Sequence, residues 1–147
     1  MSESTKRLTS RAEQAMREGN ILVALMQFEA ICAQEEPSPE IMAKLGYCLA
    51  KERRQISQGA ALCRKALQAE PANPDHYYQL GRIYLIARQK QRALDALRKG
   101  LKFRRYQPII DQLSRMGARK QPVFSALPRE HFLNRNCGKA LDRIGLR

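Results

Sequence analysis

The chain has 147 residues, 44% of them apolar, and a formal net charge of +13. This length is typical of a single domain with its own hydrophobic core. The longest apolar run, Ile21 to Met26, is far shorter than the roughly 18 residues that a membrane-spanning helix needs. No apolar stretch follows the basic residues near the N-terminus. We therefore expect a cytoplasmic protein with no secretory signal and no membrane span.

The excess positive charge is confined to the second half of the chain. Residues 1–75 contain 10 Lys/Arg and 10 Asp/Glu, whereas residues 76–147 contain 17 Lys/Arg and four acidic residues. The second half therefore carries the whole surplus of 13 positive charges. Such an asymmetry predicts an anionic partner, which could be an acidic protein, a nucleic acid or lipid headgroups.

Three prolines mark a period in the first 110 residues. Pro39, Pro74 and Pro108 are 35 and 34 residues apart, and Ser38 and Asn73 precede the first two. Ser or Asn caps the first free N–H groups of a helix, and proline at the first turn lacks the N–H that would otherwise go unpaired. The spacing therefore predicts helix starts one repeat apart.

The interior of the chain repeats with the same period. LGYCLA (45–50) aligns with LGRIYL (80–85) at a shift of 35, and CRKALQAEP (63–71) aligns with LRKGLKFRR (97–105) at a shift of 34. The one-residue difference falls in KERRQISQG, where we expect an elbow between two helices to absorb it. A period of this length with two helices per unit predicts a helical solenoid.

The repeated residues resemble the tetratricopeptide-repeat (TPR) family, specifically its small bacterial-type three-repeat proteins. The third copy matches the family pattern at Tyr77, Leu80, Gly81, Tyr84, Ala93, Leu97 and Gly100. The second copy matches it at Met42, Leu45, Gly46, Leu49, Gly59, Cys63, Ala66 and Pro71. The first copy is more degenerate, and Arg105 stands where the third copy should have proline.

The resemblance implies an all-α fold, a right-handed superhelical α-solenoid of three helix-turn-helix repeats. We expect Gly46 and Gly81, with Ala24 and Ala93 opposite them, to let paired helices approach closely. Leu45, Leu80, Phe28 and Leu97 should fill the space between hairpins. The predicted domain is 5–118, with repeats at 5–38, 39–73 and 74–107, a capping helix at 108–117, and an extended apolar segment and short helix at 119–147 packed on the solenoid.

We find no pattern of residues that predicts catalysis or a metal site. His76, at a predicted helix start, is expected to face solvent, and the Glu130–His131 pair has no nucleophile beside it. The four cysteines form no C-x-x-C pair of the kind that zinc sites use, so we expect thiols in a reducing compartment: Cys32, Cys48, Cys63 and Cys137. The sequence therefore predicts neither an enzyme nor a bound cofactor or metal.

The family resemblance implies a concave groove lined by the first helix of each repeat. Tyrosine and arginine at such positions are residue types that anchor interfaces. A carboxylate clamp of the kind found in some TPR co-chaperones is not expected, because Asp75 would repel a carboxylate and only Lys44 could bind one. The predicted partner-binding groove comprises Glu13, Tyr47, Lys51, Tyr78 and Arg82.

A second candidate surface is the basic sequence RKGLKFRRYQP. Helical spacing would place Arg98, Lys102 and Arg105 on one side of a helix, and Phe103 and Tyr106 could stack on bases. The predicted anionic-partner patch comprises Arg98, Lys102, Arg104, Arg105, Arg119 and Lys120.

These features together predict a protein–protein interaction module. We expect an adaptor, scaffold or small chaperone that binds a peptide or helix of an acidic protein in the groove. One alternative is a basic protein that binds nucleic acid or anionic surfaces, and another is a secretion-type TPR chaperone. The apolar segment at 119–147 further predicts self-association.

Overall fold

The computed structural model describes residues 2–117, which form helices and no strand. The helices are α1 (Glu3–Arg17), α2 (Ile21–Gln34), α3 (Pro39–Arg53), α4 (Ile56–Ala69), α5 (Pro74–Ile86), α6 (Lys90–Leu101) and α7 (Gln107–Arg115). All seven lie in one compact unit, Met1–Arg115. The chain divides at this point, and the predicted segment 119–147, with Arg119 and Lys120, lies outside the described residues.

Two of the helices begin as their capping residues dictate. The Ser38 hydroxyl accepts a hydrogen bond from the Ile41 N–H (3.4 Å), and Pro39 occupies the first position of α3. The Asn73 side chain accepts from the Asp75 N–H (3.1 Å) at the start of α5. Each cap satisfies an N–H group that has no partner within its helix.

Consecutive helices pack as hairpins, and the hairpins stack. The main helix pairs are α1 with α2, α3 with α4, and α5 with α6, while α3 also packs on α5 and α7 packs on α6. A helical hairpin cannot bury its apolar face alone, so each one is stabilised by its neighbours. The predicted all-α repeat solenoid is thereby confirmed. The repeat boundaries proposed from the sequence stay a prediction.

The core is built from the residues that the repeat pattern singled out. Phe28 and Leu97 have no exposed surface, and Leu45 and Leu80 are buried as well. Ile109 of α7 is also fully buried and lies against the third hairpin near Gly100. Complete burial of a side chain of this size contributes roughly 1.5–3 kcal/mol.

The elbow of each hairpin contains one residue in the left-handed region. These residues are Gly19 (φ 79°), Arg54 (φ 57°) and Arg88 (φ 59°). The elbow of the second hairpin spans only residues 54–55, whereas that of the third spans 87–89, and α3 has 15 residues where α5 has 13. The extra residue of the second repeat therefore lengthens a helix, and the elbow does not absorb it as we had expected.

None of the helices in residues 2–117 is long and apolar enough to cross a bilayer.

Candidate functional site

The central feature of the site is an arginine stacked between two tyrosines. The guanidinium carbon of Arg82 lies 3.4 Å from the ring centroid of Tyr47 and 5.2 Å from that of Tyr78. Tyr47 belongs to α3 and the other two belong to α5, and Tyr47 and Arg82 are 35 residues apart, one repeat. Equivalent positions of neighbouring first helices thus meet. The structure brings three of the five predicted groove residues together.

Stacking leaves the edge of the Arg82 guanidinium available for hydrogen bonding. A cation over an aromatic face uses its flat side, whereas its five N–H groups lie in the plane. One of them donates to the Gln79 side-chain oxygen (3.2 Å), and Arg82 itself is half-buried. Burial raises the pKa of Tyr47, and the nearby charge of Arg82 partly offsets that rise. The cluster therefore presents a fixed cation on an uncharged aromatic support.

The aromatic cluster continues towards α7. The rings of Tyr78 and Tyr106 meet edge to face at 6.2 Å, and the Tyr106 hydroxyl donates to Asp75 Oδ1 (2.8 Å). Burial and the Asp75 carboxylate together raise the pKa of Tyr106 well above its ordinary value. The other oxygen of Asp75 is buried and has no hydrogen-bond partner within residues 2–117. Tyr106 thus joins the segment before α7 to the first helix of the third hairpin.

A cleft of about 520 Å³ adjoins this cluster. Its walls come from α1, α3, the start of α5 and the segment between α6 and α7. Acidic and basic side chains are equal in number there, three of each. The cleft is lined by Glu13, Met16, Arg17, Glu40, Lys44, Asn73, Asp75, Arg104 and Tyr106.

An ion-pair network connects the first two hairpins within this cleft. The Lys44 ammonium lies 2.5 Å from Glu13 Oε1 and 2.6 Å from Glu40 Oε1. Burial by itself would lower the pKa of Lys44, but the hydrogen bonds to both carboxylates outweigh it and raise that pKa. Lys44 is therefore already held by two carboxylates, and a carboxylate of a partner would have to compete with both.

The basic patch is arranged differently from the predicted helical stripe. Helix α6 ends at Leu101, so Arg98 lies in its last turn while Lys102, Arg104 and Arg105 follow in the connection to α7. Lys102, Arg104 and Arg105 are exposed. Because the helix stops between these residues, no single helical face carries them. Of the five predicted groove residues only Glu13 lines the cleft, and Lys51 is exposed near the end of α3.

His76 does not face solvent, contrary to the prediction. It is completely buried, and its Nε2 lies 2.9 Å from Glu70 Oε2. Hydrogen bonds from Asn73 and His76 lower the pKa of the Glu70 carboxyl. The helix start was correctly placed, but the stacking of α4 against α5 covers this residue. Within residues 2–117, no three His, Cys, Asp or Glu side chains are grouped so that they could hold a metal ion.

Sequence reasoning missed the roles of Tyr106 and Asp75. Tyr106 had been assigned to base stacking, yet it bonds Asp75, which lies 31 residues earlier. Glu13 and Lys44 are separated by the same 31 residues. This offset is one repeat less about one helical turn, and in both pairs it brings a residue of one first helix against a residue at or near the start of the next unit. A search for polar pairs at that offset would have found both contacts.

Comparison with known proteins supports the class that the fold suggests. A tetratricopeptide-repeat family model matches residues 62–95. A crystal structure of the P58(IPK) TPR domain is similar with a TM-score of 0.60 and 21% sequence identity, over 77% of this chain and 33% of that one. The chain thus spans about a third of the length of that structure. No curated protein matches the sequence.

The repeat motifs, the hairpin stack and these matches agree: residues 62–95 match a tetratricopeptide-repeat model, and the described residues have the fold of a TPR domain. The resemblance inferred from the sequence is confirmed. Proteins of this fold generally bind other proteins or peptides and are typically scaffolds without catalytic activity of their own.

Proposed function

We propose that this chain is an adaptor, scaffold or small chaperone that binds an acidic peptide segment of another protein in the groove between α1, α3 and α5. The observation that carries this proposal is the Arg82 guanidinium, stacked on Tyr47 and flanked by Tyr78. Arginine and tyrosine dominate the binding energy of many interfaces, since both combine a large flat surface with hydrogen-bonding groups. Here they are held in place before any partner arrives, which reduces the entropy lost on binding.

The charges around the groove favour an acidic residue at one end of the peptide. The cleft has equal numbers of acidic and basic residues, and Lys44 already bonds two carboxylates. Arg82 and Arg104 differ from Lys44 because neither forms an ion pair with a carboxylate among those found in residues 2–117. A carboxylate of the peptide would therefore bind Arg82, with the exposed cations beyond α6 extending the attraction. This assignment covers Glu13, Tyr47, Tyr78 and Arg82, while Lys51 lies farther along α3.

The experiment compares two arginines that share the same local chemistry. Arg92 also stacks on a tyrosine, at 4.8 Å from the ring centroid of Tyr84, and also donates to a glutamine, but it lies on α6, the second helix of its hairpin, whereas Arg82 lies on the first helix, α5. Fluorescence anisotropy would measure binding of a glutamate-rich peptide library to the full chain. We expect Arg82→Gln to weaken binding by about tenfold or more, equivalent to roughly 1.4 kcal/mol, and Arg92→Gln to leave it unchanged.

Two further probes separate the alternatives. A peptide library in which lysine replaces glutamate should bind much more weakly. A random single-stranded oligonucleotide should bind the wild-type chain and the Arg82→Gln variant with equal affinity. If Arg82→Gln and Arg92→Gln weaken peptide binding equally, the loss reflects only the reduced net charge of the chain. That result would overturn the assignment of Arg82 to the binding site. Strong oligonucleotide binding that is insensitive to Arg82→Gln, with no peptide binding, would favour the nucleic-acid alternative instead.

A further inference from the structure

The second helix of the first hairpin has an unusual exposed face. Leu22, Val23 and Met26 are 54%, 39% and 59% exposed. Apart from Phe103, they are the exposed large apolar side chains in the described part of the chain. They form one patch, because Met26 lies one helical turn from both Leu22 (i+4) and Val23 (i+3), and residues at these spacings are neighbours on a helix. We call this patch the α2 face.

The equivalent faces of α4 and α6, in the other two hairpins, provide a comparison for the α2 face. Helices α2, α4 and α6 begin at Ile21, Ile56 and Lys90, so their residues can be compared position by position. The residues equivalent to the α2 face are all exposed and are mostly polar or charged: Ser57, Gln58 and Ala61 in α4, and Gln91, Arg92 and Asp95 in α6. The apolar character of the α2 face is therefore not a requirement of the hairpin, and it indicates a surface that another molecule covers.

Charge defines what could cover this face. Residues 18–43 contain five glutamates and no Lys or Arg, although the chain as a whole carries +13. The only ion pair of Glu29 within residues 2–117 joins it to Arg53, through bonds of 2.5 and 2.9 Å. Glu40 is likewise paired, with Lys44, so the acidic character of this segment is partly neutralised within the chain. An occupant that combines an apolar contact with positive charge fits the segment best.

The chain itself carries such a surface in its third repeat. Phe103 is 46% exposed and stacks on Tyr77 with ring centroids 5.6 Å apart, so its position is fixed while half of it faces outwards. Residues 98–105 contain five Lys/Arg and no acidic residue. Lys102 and Arg105 are close to Phe103 in the sequence, are exposed, and do not line the cleft. We call Phe103 with Lys102 and Arg105 the basic corner.

We propose that the α2 face of one copy binds the basic corner of a second copy, so that the chain associates head to tail. The segments that carry the two surfaces differ in charge, acidic at residues 18–43 and basic at residues 98–105, and each surface presents exposed apolar side chains. A symmetric contact between two α2 faces would bring two glutamate-rich segments together, which is electrostatically unfavourable. A heterologous contact avoids that repulsion, and it leaves one free surface of each kind at the ends of every assembly.

Sedimentation velocity of the full chain over a range of concentrations tests this assembly. We expect the wild-type protein to form dimers and larger species that dissociate as salt is raised, since opposite charges attract less at high ionic strength. Leu22→Glu with Met26→Glu should abolish all species larger than the monomer. Ser57→Glu with Ala61→Glu, at equivalent positions of α4, should leave association unchanged. Circular dichroism would verify that each variant keeps its helices.

A mixing experiment distinguishes head-to-tail from symmetric association. Lys102→Glu with Arg105→Glu disables the basic corner and should also give a monomer. The two disabled variants each retain the surface that the other lacks, so an equal mixture should form a dimer and nothing larger. A wild-type chain that stays monomeric at all concentrations overturns the proposal. So does a mixture that fails to dimerise, or a basic-corner variant that still associates with itself.

Discussion

The second and third hairpins solve the same packing problem in different ways. In the second, Gly46 of α3 faces Gly59 of α4, and a Cβ added to Gly46 would lie 2.5 Å from the Gly59 carbonyl oxygen. In the third, a Cβ added to Gly81 would lie 2.6 Å from a methyl carbon of Leu97. Cys63 and Leu97 occupy equivalent positions, 34 residues apart. In the second hairpin, where the backbones of the two helices touch, this position holds the small residue Cys63. In the third hairpin, where the backbones stay apart, it holds Leu97, whose side chain fills the space.

This difference shows that one motif glycine can serve two purposes. Where backbone meets backbone, the obstacle to a larger residue is a peptide group that cannot rotate away. Where backbone meets leucine, the obstacle is the outer part of a side chain, Cδ2 and Cγ of Leu97, which can shift more readily than a peptide group. The two hairpins should consequently respond to the same substitution by different amounts.

The largest effect is expected at Gly59. Gly59→Ala would push its new methyl group into the Gly46 carbonyl and force α3 and α4 apart. We expect the free energy of unfolding to fall by about 3 kcal/mol, despite the better helix propensity of alanine. Urea denaturation followed by circular dichroism measures it. A loss of less than about 1 kcal/mol would show that the helices can separate without repacking.

The second hairpin should also be the more sensitive to alkaline pH. Burial raises the pKa of both Cys48 in α3 and Cys63 in α4 from 9.0 to about 12, and the Cys63 thiol donates to the Ala43 carbonyl (3.4 Å). Above pH 9 the thiols ionise in the unfolded chain but stay protonated in the folded one. Their contribution is therefore complete below pH 9 and is lost as pH rises towards 12.

Urea denaturation at several pH values between 8 and 10 checks this expectation. The free energy of unfolding should fall by up to about 1.4 kcal/mol per pH unit for each thiol once the unfolded thiols ionise. Cys48→Ala combined with Cys63→Ala should flatten the dependence over this range, although the variant will be less stable at neutral pH. An unchanged slope in the double variant would assign the alkaline sensitivity to other groups.

The smallest effect is expected at Gly81. Gly81→Ala should lower the free energy of unfolding by only about 1 kcal/mol, because Leu97 can adjust and alanine favours the helix. The same urea denaturation applies, and Gly59→Ala provides the matched comparison. Equal losses at the two positions would contradict the distinction between a backbone obstacle and a side-chain obstacle.

The sequence predicted the hairpins better than it predicted how they meet. Capped starts at Pro39 and Pro74 and the spacing of Leu45 and Leu80 are local or periodic signals, and they sufficed for the helices and the core. The stack of Arg82 on Tyr47 followed only in part, because a family pattern can place both residues on the groove but cannot bring a guanidinium over a ring. The burial of His76 depends on how α4 packs on α5, which a helix-start signal does not contain.

The three elbows have one consequence for the protein's resistance to heat. Gly19 adopts the left-handed backbone conformation readily, whereas Arg54 and Arg88 adopt it at positive φ with a full side chain, which costs roughly 1–2 kcal/mol per residue. The solenoid therefore keeps two strained elbows, and the helices that follow them, α4 and α6, begin without a side-chain cap. Replacing a positive-φ residue at an elbow by glycine would remove this strain and raise the melting temperature. Such a change leaves the core and the groove of the solenoid unaltered.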